Sequence, residues 1–215
     1  ATADIPILGT SVTDYASALE LDNWTGTVGG NISGTSDLAP LDGQADMLVE
    51  LCPDAKNVGL IYCSAEANSK YQVDEMIKLL EVKGLNCTEF AFTDSNDVAS
   101  VTQAACDASD VIFIPTDNTA ANNTEAIANV VLPSKTPVIA GEQGICKGCG
   151  IATLSIDYYE LGTITGQMAA KILTGEADIS TMPIEFAPNV TKMANAANCE
   201  ALGITVPEGY EMLEG

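Results

Sequence analysis

Three apolar, β-branched runs in this chain each stop at a small polar cluster that opens a helix-like stretch. They are Val58-Gly59-Leu60-Ile61-Tyr62-Cys63 before Ser64-Ala65-Glu66-Ala67-Asn68-Ser69, Val111-Ile112-Phe113-Ile114-Pro115 before Thr116-Asp117-Asn118, and Ile151-Ala152-Thr153-Leu154-Ser155-Ile156 before Asp157. Around them strand and helix patterns alternate: a strand at 57–63, a helix to about 83, a strand at 86–92, a helix at 97–108, a strand at 110–115, a helix at 122–131, and strands at 137–140 and 151–156. Alternation at this interval predicts right-handed crossovers and a parallel sheet. In the first of these helices Val73, Met76, Ile77 and Leu80 follow the 3-4 spacing of a buried stripe, which is core and not a cofactor box. In an open sheet of this kind the strand tips gather at the carboxyl edge, where small ligands bind.

The flanks read differently. Residues 5–10 predict a short strand that ends at Ser11-Val12-Thr13-Asp14, with nothing ahead of it to cover its faces, so the chain reads as beginning in mid-fold. The Gly-, Thr-, Asn- and Ser-rich stretch 25–37 suits a connection passing from one lobe to another. Pro40 then opens a helix with Met47, Leu48 and Leu51 on one side, closing before Pro53. After Asp157 a helix runs to about residue 173, with Leu161, Ile164, Met168 and Ile172 stacked and Gly175 as its stop. A strand at 182–186, a small helix near 195–202 and a tail complete the pattern.

Composition narrows the function. With 215 residues, 47% of them hydrophobic, the chain is long enough for one large domain or two small lobes. No window approaches the ~18 uncharged apolar residues of a membrane span, and no basic start followed by an apolar stretch marks a signal peptide. The net charge of −22 arises from 30 acidic residues against 8 basic ones, all of them lysine. That excludes nucleic acid as a partner, because its binding needs cationic neutralisation of phosphates. The acidity reads as surface solubility, or as long-range attraction of a cationic ligand or partner. Without histidine the usual general base, the common zinc ligand and the Ser-His-Asp relay are all missing. Seven cysteines, most in apolar segments, read as structural thiols of an intracellular chain or of one from oxygen-poor surroundings.

Several constellations remain as candidate chemistry. A helix N-terminus holds a carboxylate through backbone N–H groups without any arginine. Ser64, Asn68 and Ser69 fit such a shell, and Asp117 at the next tip offers a negative partner for an ammonium group. Together they point to a zwitterion. The competing explanation is plain capping, since Ser, Asn and Asp are preferred at helix starts, and Asn122/Glu125 and Asp157/Glu160 both have capping-box spacing. Cys146-Lys147-Gly148-Cys149 has the spacing of a redox dithiol or half a zinc site. It falls between glycines in what reads as a turn between strands, which favours a local disulfide or free thiols. The Asn-x-Ser/Thr matches at Asn23, Asn31, Asn86, Asn122 and Asn189 read as chance in a chain this rich in Asn and Thr. No phosphate-cradling Gly-x-x-x-x-Gly-Lys loop is present, and Gly141-Glu142-Gln143-Gly144 does not satisfy the dinucleotide pattern, so no cofactor is expected.

The order Asn31-Ile32-Ser33-Gly34-Thr35-Ser36-Asp37, Pro53-Asp54-Ala55-Lys56-Asn57-Val58-Gly59, Ser64 to Ser69, Pro115-Thr116-Asp117-Asn118-Thr119 and Asp157-Tyr158-Tyr159-Glu160-Leu161-Gly162 resembles one group over essentially the whole chain. That group is the solute-binding components of ABC importers that include tryptophan- and aromatic-amino-acid-binding lipoproteins. The resemblance implies an α/β, periplasmic-binding-protein-like fold of two Rossmann-like lobes with parallel sheets, closing on a small solute. It implies an N-terminal lobe that is incomplete here, with 1–35 and 154–190 as its remnant plus hinge crossovers, 36–153 as the C-terminal lobe, and 191–215 as a tail returning near the hinge or C-terminal lobe. Mapped onto that resemblance, Ser11, Thr13 and Asp14 line the N-lobe side, Ser64, Asn68, Ser69, Thr116, Asp117, Asn118 and Glu142 line the C-lobe side, and Asp157 lies where the chain recrosses. The function implied is extracytoplasmic capture of an amino-acid-like solute by a monomer, in the periplasm or lipid-anchored, and its delivery to a membrane ABC permease without catalysis. A ligand-sensing module of the same fold and an α/β enzyme are the alternatives.

Overall fold

Apolar strands buried on both faces need helices above and below them, and the chain supplies these in regular alternation. The computed structural model describes residues 4–213. In chain order the elements begin with β1 (Ile7–Gly9), α1 (Tyr15–Ala18), β2 (Ile32–Ser36), α2 (Leu41–Leu51), β3 (Asn57–Cys63), α3 (Ala67–Val82), β4 (Asn86–Phe92), α4 (Val98–Ala108), β5 (Val111–Ile114) and α5 (Asn118–Ala121). They continue with α6 (Thr124–Ser134), β6 (Val138–Ala140), α7 (Gln143–Gly148), β7 (Ala152–Ile156), α8 (Tyr158–Leu173), β8 (Glu185–Phe186), β9 (Val190–Asn195), α9 (Ala196–Leu202) and β10 (Glu211–Leu213). The chain divides into two units, one formed by residues up to Leu38 with Ile156–Val190, the other by Ala39–Ser155 with the segment from Thr191 onward.

The first unit carries a three-stranded sheet in the order β1-β2-β8, parallel throughout. Helix α8 lies on it through Thr165, whose hydroxyl meets those of Thr10 at 3.1 Å and Thr35 at 2.8 Å. The stop of α8 falls at Gly175, whose φ of 75° suits a residue without a Cβ. The strand expected at 182–186 shrinks to Glu185–Phe186, because residues 179–181 form a 3₁₀ turn capped by Asp178 just before it.

The second unit is built on a seven-stranded sheet in the order β10-β9-β7-β6-β5-β3-β4. Its registered pairings are parallel, with Val58 opposite Val111 and Ile112 opposite Val138. On one face Ile61, Phe92, Ile112, Ile114 and Val138 pack with Val98 and Ala105 of α4, Ile127 and Val131 of α6, and Ile145 and Cys146 of α7. Helices α2 and α3 cover the other face, where Val73, Met76 and Leu80 are fully buried as their spacing requires, while Ile77, expected in the same stripe, lies at its edge and is only partly buried. The tail is more than a tail. Residues from 190 onward supply β9, α9 and β10, and Glu50 of α2 holds that segment by accepting from Lys192 Nζ and the Tyr210 hydroxyl, each at 2.9 Å. No periodicity marks these strands in the sequence, because each has only three to six residues.

Helix boundaries shift where a short turn intervenes. The helix expected at 122–131 is α6, which begins at Thr124 and runs on to Ser134, and the separate one-turn α5 at 118–121 precedes it without having been expected. Asn122 therefore does not cap α6; its Nδ2 donates to the Asn118 carbonyl at 2.8 Å, and Asn123 is the N-cap.

The sheet also fixes where the tips meet. From β3 the chain goes outward to β4, then returns past β3 to β5, so the direction of winding reverses between β3 and β5. At such a switch point the two outgoing loops diverge and leave a crevice at the carboxyl edge. The β6 tip closes in beside it. A Cβ on Gly141 would lie 2.5 Å from Pro115 C and from Thr116 N, and those are backbone atoms that cannot rotate away. We therefore expect Gly141→Ala to lower the unfolding free energy by roughly 1–3 kcal/mol, the usual range for overpacking, as measured by urea denaturation followed by circular dichroism.

Candidate functional site

At the β3/β5 switch point two carboxylates cross in opposite directions. Glu66, the N-cap position of α3, reaches the start of α5: its Oε2 accepts from Asn118 N–H at 3.0 Å and Asn118 Nδ2 at 2.9 Å, and its Oε1 accepts from Thr119 N–H at 2.9 Å and the Thr119 hydroxyl at 2.7 Å. Asp117, the N-cap of α5, reaches back. Its Oδ2 accepts from Cys63 N–H at the end of β3 at 2.7 Å, and its Oδ1 from Ala120 N–H at 2.8 Å. A third tie is an amide exchange, in which Gln72 Nε2 donates to the Thr116 carbonyl at 3.0 Å while Thr116 N–H donates to Gln72 Oε1 at 3.1 Å. Asn68 Nδ2 adds a donation to the same carbonyl at 3.1 Å.

These ties separate the residues expected at this edge. Asn68, Ser69, Thr116, Asp117 and Asn118 fall in one cluster. Ser64 stands beside it, exposed, with its hydroxyl donating to the Phe92 carbonyl at 3.2 Å. Glu142 adjoins through Gly141, whose carbonyl accepts from the Thr116 hydroxyl at 3.4 Å, but its own carboxylate caps α7 by accepting from Gly144 and Ile145 N–H groups. Asp117 departs from the expectation of an open negative partner for an ammonium group. It is 1% exposed, and both oxygens take backbone N–H groups, so it fastens the loop instead. Ser69 is fully buried behind it, near the Asp117 carboxylate but without hydrogen-bond geometry to it.

The electrostatics follow from these partners. Burial pushes the Asp117 carboxyl above its ordinary range, with the Ala120 and Cys63 N–H groups pulling it down and the nearby Glu66 charge pushing it up. Burial also pushes Glu66 up, but the donors from Asn118 and Thr119 outweigh it and leave the carboxyl below the usual glutamate range. Sequence reasoning missed Glu66 and Gln72 as members of this cluster. Their partners lie 52 and 44 residues away, and no local spacing encodes such a pairing.

The first unit has a rim of its own at the carboxyl edge of β1 and β2. Val12 N–H donates to the Thr35 carbonyl at 3.2 Å, and the Ser36 hydroxyl to the Thr13 carbonyl at 2.8 Å, which places Ser11, Thr13 and Asp14 beside the end of β2. Ser11 holds a left-handed φ of 55° there. Asp14 caps α1 by accepting from Ser17 N–H at 2.8 Å, and Asp157 caps α8 by accepting from Tyr159 N–H at 2.8 Å and Glu160 N–H at 3.1 Å. Glu160 does not complete a capping box. Its carboxylate accepts from Asn189 Nδ2 at 3.0 Å instead. The Tyr158 hydroxyl, one residue on, lies 3.5 Å from Asp37 Oδ2 at the end of β2, so Asp157 shares this rim. Behind it, burial and then the Asp37 charge push the Tyr15 hydroxyl up to about 12, which keeps it a donor to the Thr35 carbonyl at 3.3 Å.

The Cys146/Cys149 pair is not in a turn. Glu142 caps a short helix there, α7, which carries Cys146 into the core, and Cys149 follows at its C-cap; the two are 0% and 1% exposed, and both are free thiols. Burial pushes the Cys149 thiol up to about 12 and Cys146 higher still. Among the described residues no three or more His, Cys, Asp or Glu side chains are placed to hold a metal. A groove of about 350 Å³ lies at the opposite, amino edge of the large sheet, lined by Leu51, Pro53, Ala55, Pro137, Leu202 and Ile204 among others, and it contains none of the residues expected to bind ligand.

Two expected outcomes follow from this chemistry. Iodoacetamide should leave Cys146 and Cys149 unmodified in the native protein and alkylate both once denaturant is added, as read by peptide mass spectrometry. For Glu66, the folded carboxyl lies below the unfolded value of 4.5. Its contribution to stability is therefore complete above that pH and disappears as pH falls through the folded value. Glu66→Gln should lower stability at neutral pH and flatten the acid limb below 4.5, measured as urea midpoints across that range.

Comparison with known proteins places the chain in a family. A family profile described as ABC transporter substrate binding protein matches residues 1–213. The chain is 32% identical over 202 residues to a tyrosine-binding protein of Clostridioides difficile, a match covering 94% of this chain and 58% of that relative; the chain thus spans well under two thirds of that relative's length. It superposes with a TM-score of 0.90, at 30% identity and over 99% of its length, on 75% of an ABC domain from Streptococcus pneumoniae solved in complex with L-Trp. It is also similar, with a TM-score of 0.77, 34% identity and coverage of 99% and 72%, to a ligand-free, open substrate binding protein with adhesive properties from Clostridium difficile. A single substrate-binding family thus accounts for nearly every residue from the first strand to the last, and the chain belongs to the ABC transporter substrate-binding proteins.

Proposed function

We propose that the protein captures a small amino-acid-like solute, with an aromatic L-amino acid as the first candidate, outside the cytoplasm and delivers it to the membrane permease of an ABC importer. The observation that carries this reading is the convergence of Asn68, Thr116 and Asn118 at the switch point between β3 and β5, on a rim held rigid by Glu66, Asp117 and Gln72. Relatives named for tyrosine and L-Trp supply the solute class.

Each rim is proposed as a ligand-contact surface in its own right. In the large unit the contacts are Ser64, Asn68, Thr116, Asn118 and Glu142, with Ser69 and Asp117 acting from behind. In the smaller unit they are Ser11, Thr13, Asp14 and Asp157. A ligand carboxylate must be met without a guanidinium, because all 8 basic residues are lysines. Hydroxyls and the N-terminal end of the sixteen-residue α3 are the donors that the large unit's rim offers it. Micromolar capture corresponds to about 8 kcal/mol, and charge-assisted hydrogen bonds of roughly 1.5–3 kcal/mol each, with apolar burial, reach that sum. No catalytic group is needed. We further propose that the protein acts as a monomer, in the periplasm or lipid-anchored, without nucleic-acid partners.

Titration calorimetry of the chain with L-tyrosine and with L-tryptophan tests the reading. Saturable binding of at least one of them with one site is the expected result, accompanied by a gain in unfolding free energy of about 2.7 kcal/mol at a hundredfold excess over Kd. Glucose should give neither signal. A chain that binds glucose but neither amino acid would overturn the proposed solute class.

A further inference from the structure

We propose that Glu66 is a positioning residue for ligand recognition, which fixes the side-chain amide of Asn118 as an acceptor for the ligand's ammonium group; the inference rests on the solute-binding reading above. A carboxamide is ambivalent, since one end donates and the other accepts, and a free asparagine on a rim can offer either. Glu66 removes that freedom. Its Oε2 takes Asn118 Nδ2 at 2.9 Å and Asn118 N–H at 3.0 Å, so the amino end of the amide is turned to the carboxylate. Asn118 is exposed, and among the described residues its Oδ1 takes no hydrogen bond.

The second carboxylate oxygen makes the orientation hard to reverse. Oε1 is held by Thr119 N–H at 2.9 Å and the Thr119 hydroxyl at 2.7 Å, so the carboxylate cannot rotate toward Asn118 or away from it without losing two donors. Flipping the amide would bring Oδ1 against Glu66 Oε2, acceptor against acceptor, with a full negative charge on one of them. The chemistry at the rim is therefore one-sided. Asn118 presents a carbonyl dipole backed by an anion, which suits a primary ammonium and repels a carboxylate. Asn68 has the same polarity on the other side of the crevice, since its Nδ2 donates to the Thr116 carbonyl at 3.1 Å. Asp117, whose burial takes it out of direct contact, holds the α5 turn on which Asn118 sits.

A merely structural Glu66 would affect all ligands alike, whereas a positioning role discriminates between ligands with and without the amino group. The experiment measures the Kd of L-tyrosine and of its desamino analogue, 3-(4-hydroxyphenyl)propionate, for the wild-type chain, Glu66→Gln and Asn118→Ala. Wild type should favour L-tyrosine. In Glu66→Gln the affinity for L-tyrosine should fall by roughly tenfold while that for the analogue stays unchanged, because the glutamine amide no longer holds Asn118 in one orientation. Asn118→Ala changes an exposed side chain, and it should narrow the preference in the same way even if Glu66→Gln fails to fold. An equal loss for both ligands, or an undiminished preference in Asn118→Ala, overturns the positioning role and leaves solute binding intact. If the wild-type chain takes L-tryptophan and not L-tyrosine, the same comparison is made with L-tryptophan and 3-indolepropionate, with the same two outcomes; a wild-type chain that binds neither amino acid overturns the solute reading and the positioning role together.

Discussion

Two acidic side chains that exchange places hold the carboxyl edge of the large sheet together. Glu66 leaves the β3–α3 loop to receive the first N–H groups of α5, and Asp117 leaves the β5–α5 loop to receive the N–H group at the end of β3. Strand pairing ends at Cys63 in β3 and at Ile114 in β5, so the loops beyond need ties of their own. Without the exchange the two tips would keep only the Gln72 and Asn68 ties to Thr116 and leave several backbone donors unsatisfied. With it they are fastened into one rim, and on the solute-binding reading proposed above such fastening lowers the ordering cost of binding.

The same economy recurs throughout the chain. With no arginine and eight lysines against thirty acids, ion pairs cannot absorb the negative charge. Lys70, Lys78, Lys83 and Lys192 each meet a carboxylate, but on exposed surfaces where such pairs contribute little. Backbone N–H groups take over the task. Asp14, Asp117, Glu142, Asp157 and Asp178 cap helical turns, and Asp110 accepts from the N–H groups of Lys56 and Asn57. A cap of this kind is worth about 1 kcal/mol, and it places negative charge where the helix dipole favours it. The acidity that reads as surface solubility in the composition is in part a set of specific fasteners.

Capping, one of the two explanations open at the level of sequence, accounts for some of the tip residues and leaves their neighbours exposed. At the β5 tip Asp117 caps while Asn118, one position on, stays exposed. At the β3 tip Glu66 is spent on α5, Ser69 is buried, and Asn68 between them reaches across to Thr116. A rim needs both kinds of residue, since the exposed groups are only as well placed as the buried ones that hold them.

Sequence alone determined the strands and helices whose signal is local. β3 and β4 fall where their apolar runs place them, α3 buries Val73, Met76 and Leu80 at the predicted spacing, Gly175 ends α8, and the βα alternation implies the parallel sheet. These features are legible because periodicity and capping act within a few residues. The tertiary structure decided the rest. It placed β9 and β10 in the sheet although neither has a pattern of its own, folded Cys146 into the core through a six-residue helix, set the one-turn α5 ahead of α6, and paired Glu66 with Asn118 and Thr119. Each of those outcomes depends on which backbone donors and apolar surfaces lie opposite once the chain has turned back, and residues more than fifty positions apart carry no mark of each other until it does.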